Sequence, residues 1–329
     1  MLANPSCPVC GATDWTTVGE RTYRRPTKLD PDRHKALRVL FDIWAPGQHE
    51  FRVEFAGCNV CAMMIYRPRP APADLQAKYE ALAGFGHSTP SLDEAPRRRR
   101  QRAQRLFDIL APHLPRPVEQ CRILDFGGGD GRLLSRFVEA GATCELIDYC
   151  EEPVHGVRQI GRSMDVLADE PLYDGIVCSH VVEHLAEPLP VLERLIVNLR
   201  PGGAIYVEVP VEVVKRMPAG IEPVTHCNFF IPESLAALME RAGGRLLACK
   251  LTSYPHPKGG WRLCAGAIAT PGRQEAPTAA GLAALQRYLR PPLPFLVELR
   301  ARIWRSLPAM AGRKLLAKAR GLTRARAAG

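Results

Sequence analysis

The chain has 329 residues, a formal net charge of +10 and a hydrophobic content of 46%, enough for one full-sized domain and a smaller module. No apolar run reaches the roughly 18 residues that a membrane-spanning helix needs, and the N-terminus lacks the basic start and apolar stretch of a signal peptide. Eleven cysteines in a chain of this length exclude a disulfide-dense scaffold and favour a cytoplasmic location.

The first predicted module, residues 1–68, carries two C-x-x-C pairs. These pairs are Cys7 with Cys10 and Cys58 with Cys61. Each pair can direct two thiolates at one ion, and four thiolates complete a closed tetrahedral site. Neither pair lies at a strand–helix junction, the setting of a redox-active pair. The pattern therefore predicts a structural Zn²⁺ in a ribbon-like module, and four unliganded thiols are the alternative.

Residues 69–118 are predicted to form a linker and a helical lid. The segment opens with a run of alternating prolines, which blocks both helix and sheet. Helices are then expected over 74–83 and 97–114. In the second helix the apolar residues share one face and the arginines occupy the other, so this helix is expected to pack beside the next domain.

Residues 119–270 alternate strand and helix patterns, which predicts an α/β domain. Alternation at this spacing is typical of a Rossmann-like, mostly parallel, doubly wound sheet covered by helices on both faces. The predicted strands are 122–126, 143–148, 175–179, 204–209, 245–251 and 263–269, and the predicted helices are 130–140, 151–160, 187–199 and 232–242.

The first of these strands runs into a glycine turn. Asp125 is followed by Gly127, Gly129 and Gly131, residues that allow positive φ and close approach of a ligand to the backbone. A dinucleotide fingerprint would have a third glycine at position 132, where the chain has Arg132. The pattern D-x-G-x-G-x-G resembles the first motif of class I S-adenosylmethionine (SAM)-dependent methyltransferases. The resemblance implies SAM as cofactor, with Asp125 near its methionine amino group.

Two further carboxylates are candidates for the cofactor site. Asp148 ends the second strand, and a carboxylate at this place can accept hydrogen bonds from both hydroxyls of a ribose. Asp165 lies where a third strand would end. The resemblance implies a contact of Asp165 with the adenine amino group, and an ordinary loop aspartate is the alternative.

Three downstream segments extend the resemblance. They read V-V-E-H-L at 181–185, L-R-P-G-G at 199–203 and H-x-x-F-F-x-P-x-S-L at 226–235. Together they resemble a branch of small-molecule methyltransferases that includes the ubiquinone-type O-methyltransferases and enzymes of polysaccharide and deoxysugar clusters. With the N-terminal cysteine pairs, the chain up to about residue 270 resembles zinc-ribbon methyltransferases of sugar and natural-product pathways.

Four residues are candidates for the base that takes a proton from the methyl acceptor. They are His180, Glu183, His184 and His226. Histidine suits this role because its unperturbed pKa lies near neutral pH. A capping or packing role for His184, and a structural role for His226, are the alternatives.

The function implied by the resemblance is methylation, on oxygen or carbon, of a small polar acceptor such as a nucleotide-linked sugar or a glycan or natural-product precursor. An RNA methyltransferase is the nearest alternative, although residues 179–184 match neither an N/D-P-P-Y segment nor a catalytic cysteine beside proline. A zinc-dependent scaffold with a vestigial methyltransferase fold is the third hypothesis. The spaced glycines and Asp148 argue against it, because an idle site would not need them.

Residues 271–329 are predicted to form a basic, helical C-terminal tail. No acidic residue follows Glu298, and leucines alternate with arginines and lysines, as in helices that rest on anionic lipid. Packing of the tail on its own domain or on a second copy is the alternative. Because the positive charge concentrates in the tail and in residues 97–102, it predicts solvated runs rather than a nucleic-acid site. The pattern does not indicate an oligomeric state.

Overall fold

The computed structural model describes residues 1–3, 5–28, 35–84, 96–149, 152–167, 171–213, 224–255, 261–273 and 280–289. The N-terminal part contains three strands and a short helix that continues as a single π turn over Val39–Trp44. Two longer helices then lead into the central domain. In chain order these elements are β1 (Trp15–Arg24), α1 (Lys35–Arg38), β2 (Glu50–Cys58), β3 (Met64–Arg67), α2 (Pro72–Gly84) and α3 (Pro96–Leu110).

The central part alternates strands with helices and short 3₁₀ turns. Its strands bury both faces, as in the fully buried β7, which fits a sheet covered on each side. The elements are β4 (Arg122–Phe126), α4 (Ser135–Glu139), β5 (Thr143–Ile147), β6 (Val157–Gly161), β7 (Tyr173–Ser179), α5 (Pro188–Val197), β8 (Leu199–Pro210), β9 (Asn228–Phe229), α6 (Pro232–Arg241), β10 (Gly244–Pro255), β11 (Trp261–Pro271) and α7 (Gly281–Leu289).

Seven strands form the central sheet in the order β10-β11-β8-β7-β4-β5-β6. The five strands from β8 to β6 are parallel, and β11 lies antiparallel between β8 and β10. This is the Rossmann-like fold of class I methyltransferases, and it confirms the predicted fold class. The chain leaves β4 toward β5 and returns to β7 on the other side. Ligands of such sheets bind at this switch point, beyond the carboxyl ends of the strands.

The helix predicted over 151–160 is wrong. The described residues between β5 and β6 contain no helix, and Val157–Gly161 is instead the parallel edge strand β6. Gly156, with φ +84°, ends the turn from which β6 starts. The segment is too short for a crossover helix and a strand together, so pairing with β5 overrides the weak helical pattern. The predicted helix 130–140 is also shorter, with a 3₁₀ turn before α4.

The N-terminal strands pack directly onto the central domain. Strand β9 pairs with β3 through Met64–Phe229 and Ile65–Asn228 and completes the sheet β1-β2-β3-β9. The rings of Phe55 and Tyr66 lie 6.0 and 6.4 Å from that of Phe229, within one core cluster shared by both parts. The predicted segments 1–68 and 119–270 therefore bury a common interface.

Helix α7 covers the N-terminal sheet rather than extending away as part of a tail. The amide of Gly281 donates to the carbonyl of Val60 (3.1 Å), and the buried Leu285 packs against Gly57 so closely that a Cβ there would lie 2.6 Å from it. Residues 290–329, which hold most of the predicted basic tail, lie outside the described residues. Within the described part of the chain, no helix combines the length and hydropathy required to cross a bilayer.

Candidate active site

The glycine turn after β4 wraps around one carboxylate. The side chain of Asp125 lies directly beneath Gly128, where a Cβ would stand 1.9 Å from its Oδ2. At Gly129, with φ +65°, no atom of the described residues beyond its two chain neighbours lies within 4 Å of the position that a Cβ would occupy. The turn therefore needs glycine at 128 for internal packing, and it leaves open space at 129 for a ligand to approach the backbone.

Asp125 is a buried carboxylate without a partner. It is fully buried, and among the described residues neither oxygen has a hydrogen-bond partner, although the more distant charge of Arg102 favours the ionised form. Burial, with a smaller contribution from the charge of Asp148, raises its pKa to about 7. Buried polar groups are normally paired, so an unpartnered carboxylate beside an open glycine turn is suited to receive a cationic group such as an ammonium.

Asp148 follows β5 at the same edge of the sheet. Its Oδ2 accepts the Gly129 amide (2.8 Å) and its Oδ1 accepts the Tyr149 amide (2.6 Å), which fixes the carboxylate against the turn. Each oxygen retains acceptor capacity for a ligand hydroxyl. Asp165 lies in an exposed 3₁₀ turn after β6, where its Oδ2 accepts the hydroxyl of Ser163 (2.8 Å).

His180 and Glu183 form a hydrogen-bonded pair at the carboxyl end of β7. His180 has the left-handed φ of +61°, which turns the chain sharply out of the sheet. Its Nδ1 donates to Glu183 Oε1 (3.1 Å), and its Nε2 accepts the hydroxyl of Tyr254 (2.8 Å). Burial would raise the pKa of the Glu183 carboxyl, but the His180 hydrogen bond and neighbouring histidines lower it below its usual range.

The rings of His184 and His226 meet edge to face, with centroids 4.6 Å apart. His184 Nδ1 donates to the Thr225 carbonyl (2.7 Å), and burial is the main cause that lowers the pKa of His184 to about 4. His226 Nδ1 lies 2.6 Å from Glu212 Oε2 and donates to it. Both rings therefore keep Nε2 as the proton acceptor, but His184 is a weak base, whereas a carboxylate orients His226.

The structure brings three groups to this edge that the sequence patterns did not indicate. They are Gly128, Glu212 and Tyr254. Glu212 lies two residues after the end of β8, and a carboxylate beyond the carboxyl end of a predicted strand could have been recognised from the sequence as a candidate site residue. Tyr254 comes from β10, and only the sheet order brings it to His180. The guanidinium of Arg102 on α3 lies over the Tyr254 ring, 4.5 Å from its centroid.

The four N-terminal cysteines converge as their spacing predicted. Their sulfurs all lie within 4.8 Å of one another, with Cys7–Cys61 and Cys10–Cys58 each at 3.5 Å. Thiolates about 2.3 Å from a tetrahedral ion lie roughly 3.8 Å apart, so the cluster fits a metal. Hydrogen bonding with Cys58 is the main cause that raises the pKa of Cys7 and Cys61, and hydrogen bonding with Cys61 lowers the pKa of Cys58. Four thiolates this close would repel one another, so a bound cation is needed to keep all of them ionised.

Comparison with known proteins indicates a methyltransferase domain. Residues 98–248 match a family model described as "Methyltransferase domain". The chain is 29% identical over 154 residues to a protein named ubiquinone biosynthesis O-methyltransferase from Xylella fastidiosa, an alignment that covers 39% of this chain and 62% of the relative. A protein of the same name from Idiomarina loihiensis is 27% identical over 125 residues, covering 34% and 51%. The chain thus spans between half and two thirds of these relatives.

A solved structure gives a similar likeness. It is the 1,6-didemethyltoxoflavin-N1-methyltransferase of Burkholderia thailandensis with bound 1,6-didemethyltoxoflavin and S-adenosylhomocysteine. It is 23% identical with a TM-score of 0.49, and the alignment covers 64% of this chain and 96% of that one. These similarities are too low to transfer a substrate or the role of a residue.

Proposed function

We propose that the chain is a SAM-dependent methyltransferase that methylates a hydroxyl of a small polar acceptor. The observation that carries this proposal is the buried, unpartnered carboxylate of Asp125 beneath an open glycine turn. The match of residues 98–248 to a methyltransferase domain supports the cofactor. The names of the relatives, which are O-methyltransferases, support oxygen rather than carbon as the accepting atom.

The residues of the turn fit SAM, which supplies an activated methyl group when it is bound. Asp125 would accept the ammonium of the methionine part, since it is the buried anion in need of a cation. Asp148 would hold the ribose hydroxyls, because its carboxylate is already fixed by two amides. Gly129 leaves room for the ligand against the backbone, and Asp165 would accept the adenine amino group, as the resemblance implies.

His226 is proposed as the base that removes the acceptor's proton. Its Nδ1 is committed to Glu212, which leaves Nε2 as the atom that would take the proton, and the Glu212 carboxylate would stabilise the charged imidazolium that forms on proton transfer. His184, whose pKa falls to about 4, is neutral at pH 7 and would accept a hydrogen bond from the acceptor rather than its proton. Glu183 and His180 support the backbone turn that carries His184.

The acceptor is proposed to be a nucleotide-linked sugar or a glycan or natural-product precursor. The support is the combination of a four-cysteine module with the segments at 181–185 and 226–235, which resembles enzymes of those pathways. The ion at Cys7, Cys10, Cys58 and Cys61 is proposed to be a structural Zn²⁺, because four thiolates leave no open coordination position for chemistry.

The test is methyl transfer to a panel of nucleotide sugars, phenolic acceptors and RNA, followed by mass spectrometry of the products. Loss of a general base typically lowers the rate 10²–10⁴-fold, so we expect this loss in His226→Ala, with S-adenosylhomocysteine binding unchanged. His113→Ala, an exposed histidine in the turn after α3, is the matched control. Full activity of His226→Ala would place the base elsewhere. Methylation of RNA alone, or of nothing while the cofactor binds, would refute the proposed acceptor or the enzymatic role.

A further inference from the structure

Arg69 is a buried cation at the junction between the N-terminal module and the central domain. It follows β3 and is 3% exposed. Its Nη1 donates to the Cys227 carbonyl (2.8 Å), and its Nη2 donates to the Ala186 carbonyl (2.7 Å) and to Asn228 Oδ1 (2.8 Å). One planar guanidinium therefore joins two separate loops of the central domain.

These two loops carry the paired histidines. Ala186 lies two residues after His184, and Cys227 comes directly after His226. Since the two nitrogens of a guanidinium have a fixed separation and direction, the side chain sets how far apart the two backbones lie. The imidazole rings that follow from these two backbones lie 4.6 Å apart.

The charge of Arg69 has no ionic compensation among the described residues. Among the described residues its guanidinium bonds only to carbonyl and amide oxygens, and no carboxylate forms an ion pair with it. A buried charge without a counter-ion is costly, and an apolar side chain could fill the same interface. Carbonyl oxygens of the two loops and the amide oxygen of Asn228 accept the hydrogen bonds of Arg69. We therefore expect Arg69 to contribute mainly by holding these loops in place rather than by stabilising the fold.

Other contacts from the same part of the chain reach the same loops. The buried Lys78 of α2 donates to the Val224 carbonyl (3.1 Å), and β3 pairs with β9, which begins two residues after His226. Asn228 Nδ2 donates to the carbonyls of Val182 (2.8 Å) and Leu185 (2.7 Å). The loop that carries His226 is thus bonded on one side to the N-terminal part and on the other to the loop that carries His184.

We propose that Arg69 is a positioning residue that sets the relative placement of His184 and His226, and that the N-terminal module acts through it as the frame of the acceptor site. This inference rests on the proposed function, in which His226 takes the acceptor's proton. A displacement of about 1 Å in a reacting group can lower a rate on the order of 10²-fold. The module would then contribute to catalysis without touching either substrate.

The test compares Arg69→Met and Arg69→Lys with Arg67→Met. Arg67 is the last residue of β3, two positions before Arg69. Its guanidinium pairs with Glu54 (2.5 Å) and makes no hydrogen bond to the two loops among the described residues, so Arg67 is the matched control. The lysine variant keeps the charge, but a single ammonium cannot reproduce the fork of a guanidinium. The readouts are kcat and KM for the acceptor, the Kd of S-adenosylhomocysteine, and amide hydrogen exchange of the segments 181–187 and 224–229.

Both Arg69 variants should lose kcat by on the order of 10²-fold, with the Kd of S-adenosylhomocysteine unchanged and faster exchange confined to the two loop segments. Arg67→Met should match the wild type in every readout. Wild-type kcat in a folded Arg69→Met would overturn the proposal, as would equal losses in Arg67→Met. If Arg69→Met does not fold, Arg69→Lys decides, and unchanged exchange in its loops would refute the role. Amide hydrogen exchange does not depend on catalytic turnover. Faster exchange in the two loops without any methyl transfer by the wild type would therefore refute the proposed function but not the positioning of the loops by Arg69.

Discussion

Replacing Asp125 with asparagine isolates the effect of one buried charge on both stability and ligand binding. The carboxylate is fully buried and unpartnered, and burial raises its pKa from 3.8 to about 7. Asparagine has nearly the same shape and cannot ionise. The variant therefore keeps the packing beneath Gly128 and removes the anion that we assign to the ammonium of SAM.

The size of the effect follows from the shift in pKa. A shift of about three units at roughly 1.4 kcal/mol per unit corresponds to ~4 kcal/mol. Because the pKa of Asp125 is higher in the folded than in the unfolded protein, burial of this carboxyl does not lower the free energy of unfolding below about pH 4, where the group is protonated in both states. The free energy of unfolding of the wild type then falls as the pH rises from about 4 through about 7, where the buried carboxyl ionises. Without ligand, the free energy of unfolding of Asp125→Asn should equal that of the wild type near pH 4. Above pH 8 it should be larger than that of the wild type by several kcal/mol.

The assay is urea denaturation of both proteins at pH 4.5 and 8.5, paired with calorimetry of S-adenosylhomocysteine. Hydrogen bonds to charged groups contribute about 1.5–3 kcal/mol, so the variant should bind the ligand at least tenfold more weakly while being the more stable protein at pH 8.5. A variant that is destabilised equally at both pH values would refute the buried-charge argument. Unchanged ligand affinity would refute the assignment of Asp125 to the cofactor.

Two further predictions concern the turn and the metal cluster. Gly128→Ala places a Cβ 1.9 Å from Asp125 Oδ2, and such overpacking costs about 1–3 kcal/mol. Thermal denaturation should show this loss of stability in Gly128→Ala. If the clash with Asp125 is the cause, Gly128→Ala should not lower the stability when it is added to Asp125→Ala. Native mass spectrometry should show one zinc ion in the wild type and in Cys249→Ser, and none in Cys58→Ser. Cys58→Ser should also unfold the N-terminal sheet, since structural zinc contributes folding energy directly. A metal-free wild type with a protected N-terminal sheet would contradict this assignment.

The part of the site that the sequence predicted is local in the chain. The turn from Asp125 to Gly131 follows its strand at once, and Asp148 ends the next strand, so strand order alone brings them to one edge. The meeting of the two C-x-x-C pairs could also be predicted from the sequence. Each pair forms its own local turn, and a tetrahedral metal site needs the thiolates of both pairs. In these segments the local pattern and the final packing agree.

The rest depends on contacts between distant parts of the chain. Strand β9 has two residues and exists because Phe229 and Asn228 meet β3, more than 160 positions earlier, which no local periodicity indicates. The same pairing explains why Arg69 reaches the histidine loops. Strand β6 was missed because a short segment between two turns has too few residues to separate helical from extended periodicity. Glu212 and Tyr254 join the histidines only through the order of strands β7, β8, β11 and β10.

Isothermal titration with S-adenosylhomocysteine tests whether the glycine turn and its two carboxylates hold SAM. We predict one site per chain in the wild type, and a binding free energy weakened by about 1.5–3 kcal/mol in Asp148→Ala through the loss of hydrogen bonds to a charged group. Asp108→Ala, on the exposed side of α3, should bind as the wild type does. No detectable binding by folded wild-type protein, or equal affinity of Asp148→Ala, would contradict the account.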